Sequence, residues 1–285
     1  MPLNFNLAPK TYDPTEVTVS SQQIEAYARA PGDDNPRYAP GPDQVAPPVF
    51  AVVPAFSEMG TITGDPELGV DNPLMIVHGE QEFLYHRPLR PGETLVLTPV
   101  LEQVADKGSG AIYVAKVALS TVDGEPIIDQ WATIFVRGAG SGQKRPSNGR
   151  PPAPAKGAVA AEFTRKVDVD MPRRYAEASG DHNPIHLDAT VAKAAGLPGV
   201  INHGLGTLAL VSGGLVDRLA AGDPTRLVRL KARFTDLVFP GDDLSTVVWN
   251  SSGPLSESQA QAFLFETTRP GGTIVISGAL EMAAG

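Results

Sequence analysis

Residues 175–188 read YAEASGDHNPIHLD, and the motif Gly-Asp-x-Asn-Pro at their centre decides how the whole chain is interpreted. This motif occurs at residues 180–184 and again at residues 32–36, an offset of 148 residues. A second landmark, a Pro-Gly pair between two strand-like runs, occurs at residues 91–92 and 240–241, an offset of 149. Because two distant features of the sequence recur at nearly the same offset, the sequence predicts an internal duplication with a repeat of about 148 residues.

Length and composition agree with two folded units. The chain has 285 residues, of which 42% are hydrophobic and 19% charged, and domains average roughly 150 residues. A net charge of -9 argues against nucleic acid as a partner. The absence of cysteine excludes disulfides, thiolate metal sites and a cysteine nucleophile. No stretch resembles a signal sequence or reaches about 18 apolar residues, so we expect a cytoplasmic protein without membrane contact.

A compositional break separates the two units. Residues 138–156 read GAGSGQKRPSNGRPPAPAK and lack any apolar period, which is typical of a linker. We therefore predict an N-terminal unit over residues 1–137, a linker over 138–160 and a C-terminal unit over 161–285. Runs rich in Val, Ile, Leu and aromatic residues predict four strands in each unit. These runs are residues 75–85, 94–104, 111–122 and 131–136, then 227–239, 244–249, 260–268 and 273–281.

Helical patterns precede the strands in both units. They cover residues 21–30 and 49–59 in the first unit, and 171–178, 191–195 and 205–219 in the second. Asp170 is a candidate N-cap, and Pro54 predicts that the helix around it is kinked or short. The segment 205–219 has apolar residues every three or four positions and predicts a buried helix. This order of elements indicates an α+β fold in which each sheet wraps one helix.

The pair Asp181 and His186 is the strongest candidate for chemistry. The intervening Asn183 and Pro184 make a continuous helix unfavourable, so the chain turns and can bring both side chains to one point. A carboxylate and a neutral imidazole at one site can hold a water molecule and take its proton. The spacing alone fits equally well a turn in which Asp181 is a cap and His186 lies at the surface.

Gly204 precedes the predicted buried helix. Free N–H groups and the positive end of the helix dipole favour negative charge at such a position. A backbone N–H without a side chain can closely approach a thioester oxygen and stabilise an oxyanion or enolate. The alternative is that the glycine only allows tight packing of the helix.

Together these motifs resemble a known family. Residues 179–186, followed by Ala195, Pro198, His203 and Gly204, resemble the MaoC-like (R)-specific enoyl-CoA hydratases and 3-hydroxyacyl thioester dehydratases of the hotdog superfamily. Residues 32–38 and 78–92 resemble the non-catalytic N-terminal domain of MaoC-type dehydratases. The resemblance implies a double hotdog, with two tandem repeats in which an antiparallel sheet wraps a central helix.

The resemblance also implies residue roles. By matching position, Asp181 and His186 activate the water, Asn183 shapes the loop and Gly204 supplies the oxyanion N–H. The N-terminal unit departs from the pattern, because Tyr38 replaces the histidine and residues 49–53 lack a His-Gly pair. We therefore expect this unit to be catalytically silent and, as in the family, to help house the acyl chain.

Five further residues are candidates for binding the substrate: Ser179, Gly180, His203, Arg229 and Lys231. Arg229 and Lys231 alternate on a predicted strand and could meet the phosphates of coenzyme A, although a solvated strand face explains them equally well. For His203, as for His78 and His86, a structural role is the competing interpretation. No other spacing indicates a metal site, and no glycine-rich loop has the setting for a dinucleotide, so we expect no metal and no cofactor.

The sequence thus predicts reversible hydration of a trans-2-enoyl thioester to the (R)-3-hydroxyacyl thioester. The substrate would be carried by coenzyme A or an acyl carrier protein, and the resemblance implies a homodimer. Two alternatives remain open at this stage. One is a hotdog acyl-CoA thioesterase, and the other is a non-catalytic subunit that binds acyl thioesters.

Overall fold

The computed structural model describes residues 3–72, 75–143, 154–256 and 258–284. In the N-terminal half the strands are β1 (Lys10–Thr11), β2 (Thr15–Thr18), β3 (Ile76–Tyr85), β4 (Thr94–Asp106), β5 (Gly110–Thr121) and β6 (Pro126–Arg137), and the α-helices are α1 (Ser21–Arg29) and α2 (Phe56–Thr63). In the C-terminal half they are β7 (Lys156–Lys166), β8 (Leu227–Phe234), β9 (Asp243–Ser251), β10 (Gln261–Thr268) and β11 (Ile274–Met282), with α3 (Met171–Ser179), α4 (Ala189–Ala194) and α5 (Gly204–Ala220).

All the described strands belong to one antiparallel sheet. Its order is β1-β4-β5-β6-β3-β8-β11-β10-β9-β7, and β2 also pairs with β4. The two halves meet where β3 pairs with β8, with Phe83 opposite Leu230. The strand order β4-β5-β6-β3 in the N-terminal half therefore matches the order β9-β10-β11-β8 in the C-terminal half. This match confirms the predicted α+β double hotdog.

Helix α5 occupies the concave side of the C-terminal half. Its buried residues run almost without a break from Gly206 to Val216, as expected for a helix that is apolar on all sides. The helix contacts β7 and β8 of its own half as well as the short 3₁₀ helix Pro48–Val52 of the other half. A single buried core consequently runs through both halves.

Two equivalent tyrosines mark the duplication at the centre of this core. Tyr27 lies on α1 and Tyr175 lies on α3, 148 residues further along the chain, and both are fully buried. Their hydroxyl groups are hydrogen-bonded to each other at 3.1 Å, which satisfies two polar groups that would otherwise be costly to bury. The repeat deduced from the motifs is therefore also a repeat in space.

The described residues of the N-terminal half form no long central helix. Its counterpart is the 3₁₀ helix Pro48–Val52 followed by the eight-residue helix α2. Pro54 lies between them and has no N–H to continue a helical ladder. The prediction of a kinked or short helix at this position is confirmed.

Several element boundaries and one helix cap differ from the sequence predictions. Strand β7 begins at Lys156, inside the predicted linker, because its pairing with β9 overrides a local composition that is poor in large apolar residues. Residues 144–153 of that linker lie outside the described part of the chain. Strand β8 ends at Phe234 rather than at residue 239. Asp170 occupies the N-cap position of α3, but its side chain makes no capping bond and instead accepts one from Arg174.

No helix within the described residues is long and apolar enough to cross a lipid bilayer.

The close approach of α5 to β7 gives a test of the packing. A methyl group at Gly214 would overlap the buried ring of Phe163, so Gly214→Ala should lower the free energy of unfolding by about 1–3 kcal/mol. Gly60, on α2, has open space around its α-carbon, and Gly60→Ala should raise stability by about 0.5–1 kcal/mol through helix propensity. Urea unfolding of both variants measures the difference, and equal effects would contradict the packing described here.

Candidate active site

The loop after α3 fixes the direction of the Asp181 side chain. Helix α3 ends at Gly180, which has a φ of 82°, a left-handed conformation that favours glycine. The hydroxyl of Ser179 then accepts a hydrogen bond from the N–H of Asp181 at 3.2 Å. One carboxylate oxygen of Asp181 accepts from the N–H of Asn183 at 3.1 Å, which leaves the second oxygen for a ligand.

Asn183 shapes the next turn. Its side-chain oxygen accepts a hydrogen bond from the N–H of Ile185 at 3.3 Å and caps the 3₁₀ helix Pro184–His186. This short helix turns the chain so that His186 returns towards Asp181. The turn predicted from Asn183 and Pro184 is therefore present.

His186 and His203 lie together beside Asp181. Nδ1 of His186 is 2.9 Å from the carbonyl oxygen of Ile201, and Nε2 of His203 is 2.9 Å from the carbonyl oxygen of Asp181. The two ring centroids are 3.8 Å apart. One donor atom from each of Asp181, His186 and His203 lies within 4.8 Å of the others. The sequence predicted that Asp181 and His186 lie together. It did not predict the contact with His203, which depends on where α5 begins.

These contacts define which ring atoms carry protons. A carbonyl oxygen only accepts, so Nδ1 of His186 and Nε2 of His203 are the protonated nitrogens when both rings are neutral. Burial lowers the pKa of His186 below 6.5. Burial, together with the neighbouring His186, lowers the pKa of His203 to about 4. Near neutral pH, His186 therefore offers the lone pair of Nε2 and can act as a base.

Gly204 is the first residue of α5, directly after the N-cap His203. A side chain at this position would meet the ring of Phe234, whose nearest atom lies 3.4 Å from the place of a β-carbon. The N–H groups of the first helical turn have no partners within the helix and favour negative charge. A water molecule near Asp181 and His186 and a carbonyl oxygen near Gly204 could thus be held at one site.

Arg229 and Lys231 lie on the seam between the halves and are already paired. Both side chains bond to the carboxylate of Glu82 on β3, with Nζ of Lys231 at 2.6 Å. Although burial acts to raise it, these two cations hold the pKa of Glu82 below its usual value. A phosphate group of coenzyme A would have to compete with Glu82 for them, and their role in binding the substrate stays a prediction.

The N-terminal half repeats the loop without the imidazole. A carboxylate oxygen of Asp33 accepts from the N–H of Asn35 at 3.1 Å, and the side chain of Asn35 accepts from the N–H of Arg37 at 3.0 Å. Tyr38 is buried at the position of the second-half histidine. The other oxygen of Asp33 faces α5, only 2.5 Å from where a β-carbon at Gly213 would be. Asp33 is therefore confined against a helix, the charge of Arg165 acts on it, and no hydrogen bond among the described residues pairs it with an imidazole.

The position of His78, a residue of the N-terminal half, was not predicted from the sequence. His78, interpreted as structural, packs edge-on against Phe234 with ring centroids 5.3 Å apart, and Phe234 in turn covers Gly204. Phe56, at the start of α2, lies 3.9 Å from the place of a β-carbon at Gly180 and is 44% exposed. In a double hotdog, β3 pairs with β8, so the start of β3 lies beside the end of β8. This topology could have predicted that His78 lies near Phe234.

The confinement of Asp33 predicts an effect of pH on stability. Burial raises its pKa from 3.8 to about 6, so the ionised form destabilises the fold at neutral pH, and stability recovers as the pH falls through 6 towards 3.8. Asp33→Asn should be more stable than the wild type by about 2–3 kcal/mol near neutral pH, with the difference vanishing near pH 4. Urea unfolding at both pH values measures this. Asp34→Asn, at the exposed neighbouring position, is the control, and a pH-independent effect of Asp33→Asn would contradict the prediction.

Comparisons with known proteins agree with this architecture. A family model described as "MaoC like domain" matches residues 152–265, and one described as "FAS1-like, dehydratase domain region" matches residues 8–130. Among curated proteins, "3-hydroxyacyl-thioester dehydratase Y" of Mycobacterium tuberculosis is 34% identical over 225 residues, covering 74% of this chain and 73% of that protein. "Probable enoyl-CoA hydratase 2" of Dictyostelium discoideum is 31% identical over 210 residues, covering 73% and 70% respectively.

Among solved structures, a MaoC-like dehydratase from Phytophthora capsici superposes with a TM-score of 0.83 at 23% identity, over 99% of this chain and 98% of that one. At that identity the superposition shows the shared fold. The two relatives above are more than 30% identical and are covered over more than two thirds of their length. The chain belongs to the MaoC-like hydratase and dehydratase family.

Proposed function

We propose that the protein catalyses the reversible addition of water to a trans-2-enoyl thioester, giving the (R)-3-hydroxyacyl thioester. The observation that carries this proposal is the placement of Asp181 and His186 beside the N-terminus of α5, within reach of one bound molecule. The names of the two relatives, an enoyl-CoA hydratase and a 3-hydroxyacyl-thioester dehydratase, denote the two directions of this reaction.

In the hydration direction, Nε2 of His186 and the free oxygen of Asp181 hold the water molecule. Its oxygen forms a bond to C3 of the enoyl group while one proton passes to the Asp181 and His186 pair. The electron pair of the double bond moves towards the thioester oxygen, where the Gly204 N–H stabilises the enolate-like charge. Return of a proton to C2 completes the addition and restores the pair, so the atoms and charges balance without an added redox agent.

The finer features of the reaction are also part of the proposal. The three donors of Asp181, His186 and His203 are of types that bind divalent cations, but the acid and base steps above use only protons, and we propose that neither metal nor cofactor takes part. The acyl group is carried by coenzyme A or an acyl carrier protein. Ser179 and Gly180 position the loop, and His203 positions Asp181 through its carbonyl group.

We also propose different roles for the two halves, on the basis of Asp33, Asp181 and His186. The N-terminal unit, residues 1–137, is proposed to be silent because Asp33 faces no imidazole, and the C-terminal unit, residues 161–285, is proposed to carry the reaction. A homodimer in the cytoplasm is proposed by resemblance to the family.

Removal of the Asp181 charge should abolish most turnover. Asp181→Asn keeps the oxygen that accepts from Asn183 but loses the proton acceptor, so kcat with crotonyl-CoA should fall by about 10²- to 10⁴-fold. Loss of the enoyl-thioester absorbance measures hydration, and a thiol reagent measures free coenzyme A. Asp33→Asn is the matched control and should keep the wild-type kcat.

Three outcomes would contradict the proposed reaction. Wild-type kcat in Asp181→Asn would exclude the assigned role of the carboxylate. Free thiol without a hydrated product would indicate a thioesterase. Tight binding of enoyl-CoAs of several chain lengths without turnover would indicate a binding subunit.

The burial of His186 predicts the acid limb of the pH profile. Protonation of Nε2 removes the lone pair that receives the proton of water, and burial lowers the pKa at which this happens below 6.5. The acid limb of kcat/KM for hydration should therefore have its midpoint below pH 6.5. An acid limb with its midpoint at or above 6.5 would contradict this prediction.

A further inference from the structure

A β-bulge turns His78 away from the regular pattern of its strand. The pairing of β3 with β6 is in register from Glu80 onwards and shifts between His78 and Glu80. The extra residue is Gly79, where a β-carbon would lie 3.2 Å from the carbonyl oxygen of Thr133. Bulges bend a strand and re-aim a side chain, and they are frequent beside active sites. The local sequence therefore gives His78 a direction that a regular strand would not.

The His78 side chain is directed towards the C-terminal half. The His78 ring packs against Phe234 at the end of β8, with ring centroids 5.3 Å apart and an angle of 78° between the planes. Phe234 contacts the space in front of Gly204, the first residue of α5. The negative charge of Asp181 also acts on the His78 imidazole. His78 thus lies in the layer that contains the proposed reaction site, although it belongs to the other half of the chain.

The Nε2 atom of His78 is shielded from solvent and has no hydrogen-bond partner among the residues that the structure describes. The backbone of Glu80 and the side chain of Gln81 are hydrogen-bonded to the same ring. An unpaired buried polar atom costs about 1–3 kcal/mol, and such atoms are uncommon in folded proteins. Burial lowers the pKa of His78 to about 4, so the ring is neutral at physiological pH and offers Nε2 for one hydrogen bond. The alternative is that an N–H of the His78 ring is directed at the face of Phe234. Such a weak contact would only stabilise the fold.

We infer that the N-terminal half contributes His78 to the reaction site of the C-terminal half, and that the missing partner of Nε2 is a polar group of the bound acyl thioester. This inference rests on the proposed function, and it assigns the half without a catalytic pair a direct contact with the substrate. His78 is then a substrate-binding residue rather than an acid or base, because its ring does not change charge near neutral pH.

Three variants of the full-length chain test the contact. His78→Phe keeps an aromatic ring against Phe234 and removes Nε2, whereas His78→Gln restores a polar atom close to the position of Nε2. His86→Gln is the control, because His86 directly follows β3 and pairs with Asp129 at 3.0 Å outside the site. For crotonyl-CoA, kcat/KM should fall about 10- to 100-fold in His78→Phe, recover by at least about threefold in His78→Gln, and stay at the wild-type value in His86→Gln.

A second measurement does not depend on turnover. The chain has five histidines, so selective ¹⁵N labelling of histidine gives a simple spectrum in which His78→Gln identifies the His78 signals. Butyryl-CoA has no double bond to hydrate and serves as the probe. Saturating butyryl-CoA should shift the Nε2 resonance of His78, and His78→Phe should weaken its binding measured by calorimetry.

The outcomes separate the inference from the proposed reaction. A shifted Nε2 resonance in a protein that hydrates no enoyl-CoA would support the contact and overturn the reaction. Hydration that is unchanged in His78→Phe, together with an unshifted Nε2 resonance, would overturn the contact and leave the reaction intact. A lowered unfolding temperature in His78→Phe with wild-type kcat/KM would assign His78 the structural role and overturn the inference.

Discussion

The pairing of β3 with β8 is the constraint on which the other features of this molecule depend. It joins two curved sheets into one and allows a single core to run through both halves. Without it, each half would expose an unpaired sheet edge and the apolar face beneath it. The same pairing places Glu82 between Arg229 and Lys231, so the seam carries charges that compensate one another. A truncation within either half would therefore disturb the sheet of the other.

Burial has two different consequences at the equivalent loops. At the C-terminal loop it keeps His186 and His203 neutral, which suits a base that must accept a proton near neutral pH. At the N-terminal loop the same degree of enclosure confines Asp33 beside α5 and disfavours its charge. One loop geometry thus brings a carboxylate close to a neutral imidazole where histidine is present, and it leaves a destabilising charge where tyrosine replaces the histidine.

Much of this arrangement could be predicted from sequence because its signals are local. The turn at Asn183, the buried helix α5 and four strands in each half follow from proline, capping residues and hydrophobic periodicity. Strand β7 was not predicted, because strand pairing rather than composition decides where that strand lies. The pairing of Arg229 and Lys231 with Glu82 was invisible for a related reason, since it depends on which strands meet at the seam. The contacts of His78 with Phe234 and of His203 with His186 are long-range contacts that no spacing in the sequence encodes.

The asymmetry between the halves has a physical basis in the length of their central helices. In the C-terminal half, α5 is long enough to begin at the site with an unpaired first turn and to end beyond Asp33 of the other half. In the N-terminal half, Pro54 divides the corresponding segment, so no long helix directs its N-terminus at the loop that carries Asp33. Loss of the imidazole removes the base, and loss of the helix removes the dipole that would stabilise an enolate. Restoring a histidine at position 38 alone would therefore not create a second reaction site, because the electrostatic part of the site would still be missing.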